Sequence, residues 1–176
     1  MNRILLFLLL SITIISCKKE SNSLQGVITE SGKPSSNAIV SLVGLDGTIF
    51  PLVTSYEGHY EIKDLQPGSY LLVVQSSETT ITPDQQLQAF INNQSLLQKY
   101  LKQTIDNKRI EQLKQERDRS IGVEAMTFAS QLQSATNDVV GQAARQAKIP
   151  WNEANNRMIT LTEVQVKGST VKDVNL

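Results

Sequence analysis

The sequence predicts an α+β chain, a small antiparallel β-sandwich into which a long α-helical hairpin is inserted. Three observations carry this. Between residues 24 and 76, apolar and polar residues alternate between Gly and Pro turns, as strands with one buried face do. From Asp84 to about Arg119 no Gly or Pro intervenes, and apolar residues fall at helical spacing. After Pro150 the chain returns to alternation. The predicted organisation is a signal segment (1–16), a modified Cys and tether (17–23), the sandwich (24–76), the helical hairpin (82–157) and C-terminal strands completing the sandwich (158–176).

The chain opens MNRILLFLLLSITIISC. Arg3 supplies a positive start, and Ile4 to Ile15 form an uncharged apolar run. At about a dozen residues, that run fits a secretory signal and falls short of the ~20 that a spanning helix needs. Ile14-Ile15-Ser16-Cys17 resembles the lipobox of bacterial lipoproteins, and Cys17 is the only cysteine. The resemblance implies cleavage before Cys17 and acylation of it, with palmitate-type chains holding the protein to a membrane. Lys18 follows, where the lipoprotein sorting scheme of enteric bacteria reserves Asp for inner-membrane retention. The expected location is therefore the outer membrane of a Gram-negative envelope.

Leu24 to Thr29 reads as a first strand and Glu30 to Asn37 as a turn-rich loop. Ala38, Val40 and Leu42 share one face of a second strand, and Asp46-Gly47 marks a tight turn. Thr48 to Val53 reads as a third strand, with Pro51 marking an edge or bulge. In TSYEGHYEIKDLQPGSYLLVV, Tyr60 and Ile62 alternate after Glu57-Gly58, and Tyr70, Leu72 and Val74 alternate after Pro67-Gly68.

Gly26-Val27, Gly32-Lys33-Pro34, Ala38-Ile39-Val40, Thr54, Gly58-x-Tyr60-x-Ile62, Leu65 and Pro67-Gly68-x-Tyr70 resemble the carboxypeptidase regulatory-like domain. That domain is transthyretin-like and related to collagen-adhesin B-type repeats. The resemblance covers roughly residues 24–76 and implies a non-catalytic β module used as a spacer, docking element or binding accessory. It departs at Ser55-Tyr56-Glu57, where the family often carries acidic residues. Some adhesin relatives cross-link a first-strand Lys to Asn; LQGVIT has no Lys, so no such bond is expected.

Thr82-Pro83-Asp84-Gln85 has the cap residue, N1 proline and N3 glutamine of a helix start. Leu87, Phe90, Ile91, Leu97, Leu101 and Ile105 predict one helix to about Arg119, some 50 Å long at ~1.5 Å per residue. Part of it should project or lie across another surface, with the charged tip from Asp106 to Arg119 in water. Gly122 breaks it, and Ala125, Phe128, Leu132, Ala135 and Val139 predict a second helix ending before Ile149-Pro150. Trp151 to Arg157 suggests one more helical turn. Ile159 and Leu161 sit on one parity and Val164 and Val166 on the other, which predicts a bulge near Thr162-Glu163. Lys167-Gly168-Ser169 predicts the turn of a closing hairpin.

Chemistry is sparse. His59 is the only His, so no histidine cluster can hold zinc, and its strand places it outward, opposite Tyr60. No nucleophile elbow or phosphate loop is present. Asp46, Glu57 and Asp64 could suggest calcium, but their turn positions account for them. The 17 basic and 17 acidic residues cancel, so no footprint for nucleic acid follows. No cofactor, metal or catalytic residue is expected. Tyr56 at a loop tip and Trp151 beside Pro150 are the candidate partner contacts. The expected function is a lipid-anchored, non-catalytic envelope protein that binds or scaffolds, its helical hairpin engaging another envelope protein. The alternative is glycan binding by the sandwich loops near Tyr56, against which the 5% aromatic content counts.

Overall fold

The computed structural model describes residues 21–150 and 157–176. Among these the chain is mixed α+β, with four helices and two sheets. The first sheet centres on β1 (Asn22–Glu30). Antiparallel to it run β2 (Lys33–Pro34) and β5 (His59–Leu65), while β8 (Ser169–Val171) and β9 (Val174–Asn175) pair with it in parallel. The second sheet has the order β4 (Val53–Thr54), β3 (Ile39–Gly44), β6 (Gly68–Thr80), β7 (Arg157–Val166), all antiparallel. The helices are α1 (Pro83–Asn92), α2 (Gln94–Leu101), α3 (Asn107–Arg119) and α4 (Val123–Gln146).

Ser31-Gly32 and Glu57-Gly58 each take positive φ at both residues, the two-residue turn whose twist matches paired strands. Gly58 could not be replaced cheaply, because a β-carbon there would lie 2.8 Å from Pro34 Cβ.

The second sheet is buried on both faces, and this organises the molecule. One face carries Val40, Leu42, Leu72, Val74, Val164 and Val166 against Leu24, Ile28, Tyr60 and Ile62 of the first sheet. The other carries Val43, Leu71, Val73, Ile159 and Leu161 against Leu87, Phe90, Leu97, Tyr100, Leu132 and Val140 of the helices. A strand with two buried faces reads as a continuous apolar run, which is what Tyr70 to Val74 is.

Four expectations are corrected. The single helix from Thr82 to Arg119 is three helices. Asn93 ends α1 by turning its side-chain amide onto Ala89 O at 2.8 Å, the competition with the backbone that disfavours Asn inside helices. Lys102 ends α2 in the left-handed region, and Asp106 caps α3 through Arg109 N at 3.1 Å. Folding in three lets Leu97, Tyr100 and Leu101 lie on the sheet rather than project.

The bulge expected at Thr162-Glu163 is absent. The β6–β7 register runs unbroken from Gly68↔Val166 to Gln75↔Ile159. The parity changes because Ile159 and Leu161 face the helices while Val164 and Val166 face the first sheet. The strand expected over Thr48–Val53 shrinks to Val53–Thr54 and one bridge at Ile49, since Pro51 between them lacks an N–H. Lys167-Gly168 does not close a hairpin; it carries the chain across to β1 of the other sheet.

Candidate functional site

Cys17 and Trp151 lie outside the described residues. Tyr56 is 75% exposed on the turn after β4, where it exchanges backbone hydrogen bonds with His59 at 3.0 and 2.8 Å. His59 is exposed and Tyr60 buried. Asp46 spends both carboxylate oxygens on its own turn, accepting from Thr48 N at 2.9 Å and from Thr48 Oγ1 at 2.8 Å. These hydrogen bonds hold its carboxyl below the usual range. Tyr56 and Asp46 belong to separate turns, and of the predicted site residues only Tyr56 is among those described.

Among the described residues the most exposed apolar side chains instead cluster where α3 gives way to α4. Ile121 is 91% exposed, Val123 80% and Met126 73%. The sequence locates this turn through Gly122, which takes φ 65°, but its charged flank drew attention away from the apolar residues. Arg117 fixes the turn to the body, donating to Asp84 Oδ2 at 2.9 Å at the start of α1.

That anchoring sets where the turn lies. At one pole, Asn22 at the start of β1 donates to Leu65 O at 3.0 Å and accepts from Gly168 N at 2.8 Å. β1 then spans nine residues, about 30 Å. At its far end Glu30 holds the segment Ser77 to Thr79, just before α1 begins. The apolar turn is thus tied to the start of α1, the helix that follows the segment Glu30 holds.

Glu30 is a site that sequence reasoning missed, since it reads there as the first residue of a loop. The side chain is buried, yet its carboxylate accepts from Ser35 Oγ (2.5 Å), Ser77 N (2.8 Å), Glu78 N (3.1 Å), Thr79 N (2.9 Å) and Thr79 Oγ1 (3.0 Å). Burial alone would raise its pKa; the bonds from Ser35, Ser77 and Thr79 outweigh it and hold the group at about 2. With its lone pairs taken, the carboxylate is a fastener and not a general base. The signal that could have found it is Ser35 five residues on and the Ser-Ser-Glu-Thr-Thr run after β6's apolar core, all short donors.

A scan against protein-family models and a search of curated proteins both returned no match.

The helical layer also carries a groove of about 380 Å³ between the start of α3 and the middle of α4, floored by Ile110, Ala135 and Val139. Gln103 lines it, buried, donating through Nε2 to Val139 O at 2.7 Å. Its Oε1 has no partner among the described residues. Val139 fixes which way the amide points, so the free atom is the acceptor. Among the described residues no group of three metal-ligating side chains converges, and no helix is long and apolar enough to cross a membrane. Chemically, these surfaces can bind; they do not assemble a nucleophile with a base.

Proposed function

We propose that this chain is a lipid-anchored, non-catalytic protein of a Gram-negative envelope, held to the outer membrane through Cys17, whose transthyretin-like sandwich presents a helical arm to a protein partner. The observation that carries this reading is the exposed trio Ile121, Val123 and Met126 where α3 gives way to α4. Apolar side chains this exposed on one turn are a common mark of a contact surface.

In-cell photo-crosslinking from position 126 tests it, with position 63 as the control on the exposed side of β5. A discrete adduct from 126 alone, lost when Ile121 and Val123 become Ser, supports the reading. No adduct from 126, or the same adduct from 63, refutes it. Separately, Cys17→Ala should abolish fatty-acid labelling and release the protein from membranes.

One observation favours a second reading, glycan binding. Tyr56 adjoins Ser36, which accepts from Glu57 N at 3.0 Å, and Ser36 lines a cleft of about 770 Å³ rimmed by Ser31, Ser35, Asn37, Thr79 and Thr80. A glycan array with signal abolished by Tyr56→Ala would favour it over the protein-contact reading.

A further inference from the structure

Among the described residues β7 is the last strand of the second sheet, and its far side pairs with no described strand. One residue of that side is already closed. Gln86 of α1 donates from Nε2 to Ile159 O at 3.0 Å and accepts from Ile159 N at 3.0 Å. A side-chain amide thereby occupies the place of a neighbouring strand's peptide. Ile159's backbone therefore faces away from β6, while Met158 N turns toward β6 and donates to Ser76 Oγ at 3.1 Å.

With no register break from Ile159 to Val166, period two turns the N–H and C=O groups of Leu161, Glu163 and Gln165 outward as well. No described residue hydrogen-bonds to them. Glu163 and Gln165 are exposed. Gln86 blocks one rung of this edge and leaves three.

The charges beside those rungs are positive on balance. Arg157 begins the strand, Lys167 follows it, and Lys99 lies alongside. Glu163 offsets Lys99, its carboxylate accepting from Lys99 Nζ at 2.6 Å and Tyr100 Oη at 2.6 Å, contacts that hold its pKa down; Arg157 and Lys167 have no such partner among the described residues. A net positive edge repels a basic strand and attracts an acidic one.

We propose that β7 from Leu161 to Gln165 is a strand-addition site for an extended acidic segment of a partner protein, about six residues long, docked through main-chain hydrogen bonds. It is independent of the apolar turn at Ile121.

The test uses the mature chain with Cys17→Ser and two capped hexapeptides, one alternating Glu with Val and one alternating Lys with Val. Amide exchange read by NMR should slow at Leu161, Glu163 and Gln165 by about tenfold or more with the acidic peptide at millimolar concentration, and not with the basic one. Ile159, already capped, should not change. Gln165→Pro removes one outward donor and no main-chain bond to β6, only the exposed side-chain bond from Ser69 Oγ at 2.6 Å, so it should fold and lose the effect. Should it not fold, Lys99→Glu with Lys167→Glu provides the second variant, which should exchange the preference for the basic peptide. Equal protection by both peptides, protection elsewhere only, or protection of these amides without peptide that rises with protein concentration (a second copy as occupant) would each overturn the proposal.

Discussion

Gly26 lies directly beneath the carbonyl of Lys172: a β-carbon at residue 26 would sit 1.9 Å from that oxygen and 2.7 Å from its carbon. The same carbonyl accepts from Tyr60 Oη at 2.6 Å. Burial first, and then the Asp173 carboxylate, push the Tyr60 hydroxyl up, so it remains a donor at any ordinary pH. β1, β5 and the C-terminal crossing thus lock together through one bare position.

Gly26→Ala should accordingly destabilise the protein by about 3 kcal/mol, because the clash is with backbone and only a shift of the crossing can relieve it. Tyr60→Phe keeps the ring and leaves one acceptor unpaired, which should cost about 1–2 kcal/mol. Urea midpoints of the two variants check both values. An alanine variant as stable as the parent would mean the crossing is loosely held.

Glu30 predicts the acid behaviour. Its folded pKa of about 2 is depressed from the ordinary 4.5, so its contribution is complete above 4.5 and disappears as pH falls toward 2. After allowing for solvent screening, about 2 kcal/mol should be lost across that window. Glu30→Gln should remove most of this pH dependence and cost about 2–3 kcal/mol at neutral pH, because donors aimed at a carboxylate then meet an NH₂. Urea unfolding at pH 7, 4 and 2.5 reads both effects.

Gln86 should protect the backbone it covers. Gln86→Ala should raise the exchange rate of the Ile159 amide and cost about 2 kcal/mol, since the amide's two partners are buried with it. It should also promote association at high concentration, because another rung of the edge opens.

The turn at Ile121 predicts the opposite profile. Replacing Ile121, Val123 and Met126 by Ser should change stability by about 0.5 kcal/mol or less, because none is packed. Any loss of partner adducts in that variant then reports contact and not unfolding.

The mixed α+β character and the turns at Gly58 and Gly68 were legible because Gly and Pro punctuate strands by a local rule, positive φ or a missing N–H. What escaped the sequence depended on distant parts of the chain. Val164 and Val166 look out of step with Ile159 and Leu161 only until two cores are known to flank β7. Asn93 and Lys102 break a run whose propensities are otherwise helical, because the helices had to follow a sheet whose position the local sequence does not encode. Glu30 meets its donors at Ser77 to Thr79 only after the chain has formed four further strands and returned. Of the candidate site, Tyr56 was recognisable as a loop-tip aromatic, while the apolar turn was masked by the charge of Arg117, Asp118 and Arg119 before it.

The sheet with two wet-free sides has a practical consequence for anyone cutting this protein into pieces. Excising residues 82–157 would strip the cover from Val43, Leu71, Val73, Ile159 and Leu161 at once. Each large aliphatic side chain so bared forfeits roughly 1.5–3 kcal/mol, more in sum than a domain of this size has in reserve. The arm is the roof of the β body and cannot be unscrewed like an attachment. Its role has to be mapped by point changes on an intact molecule.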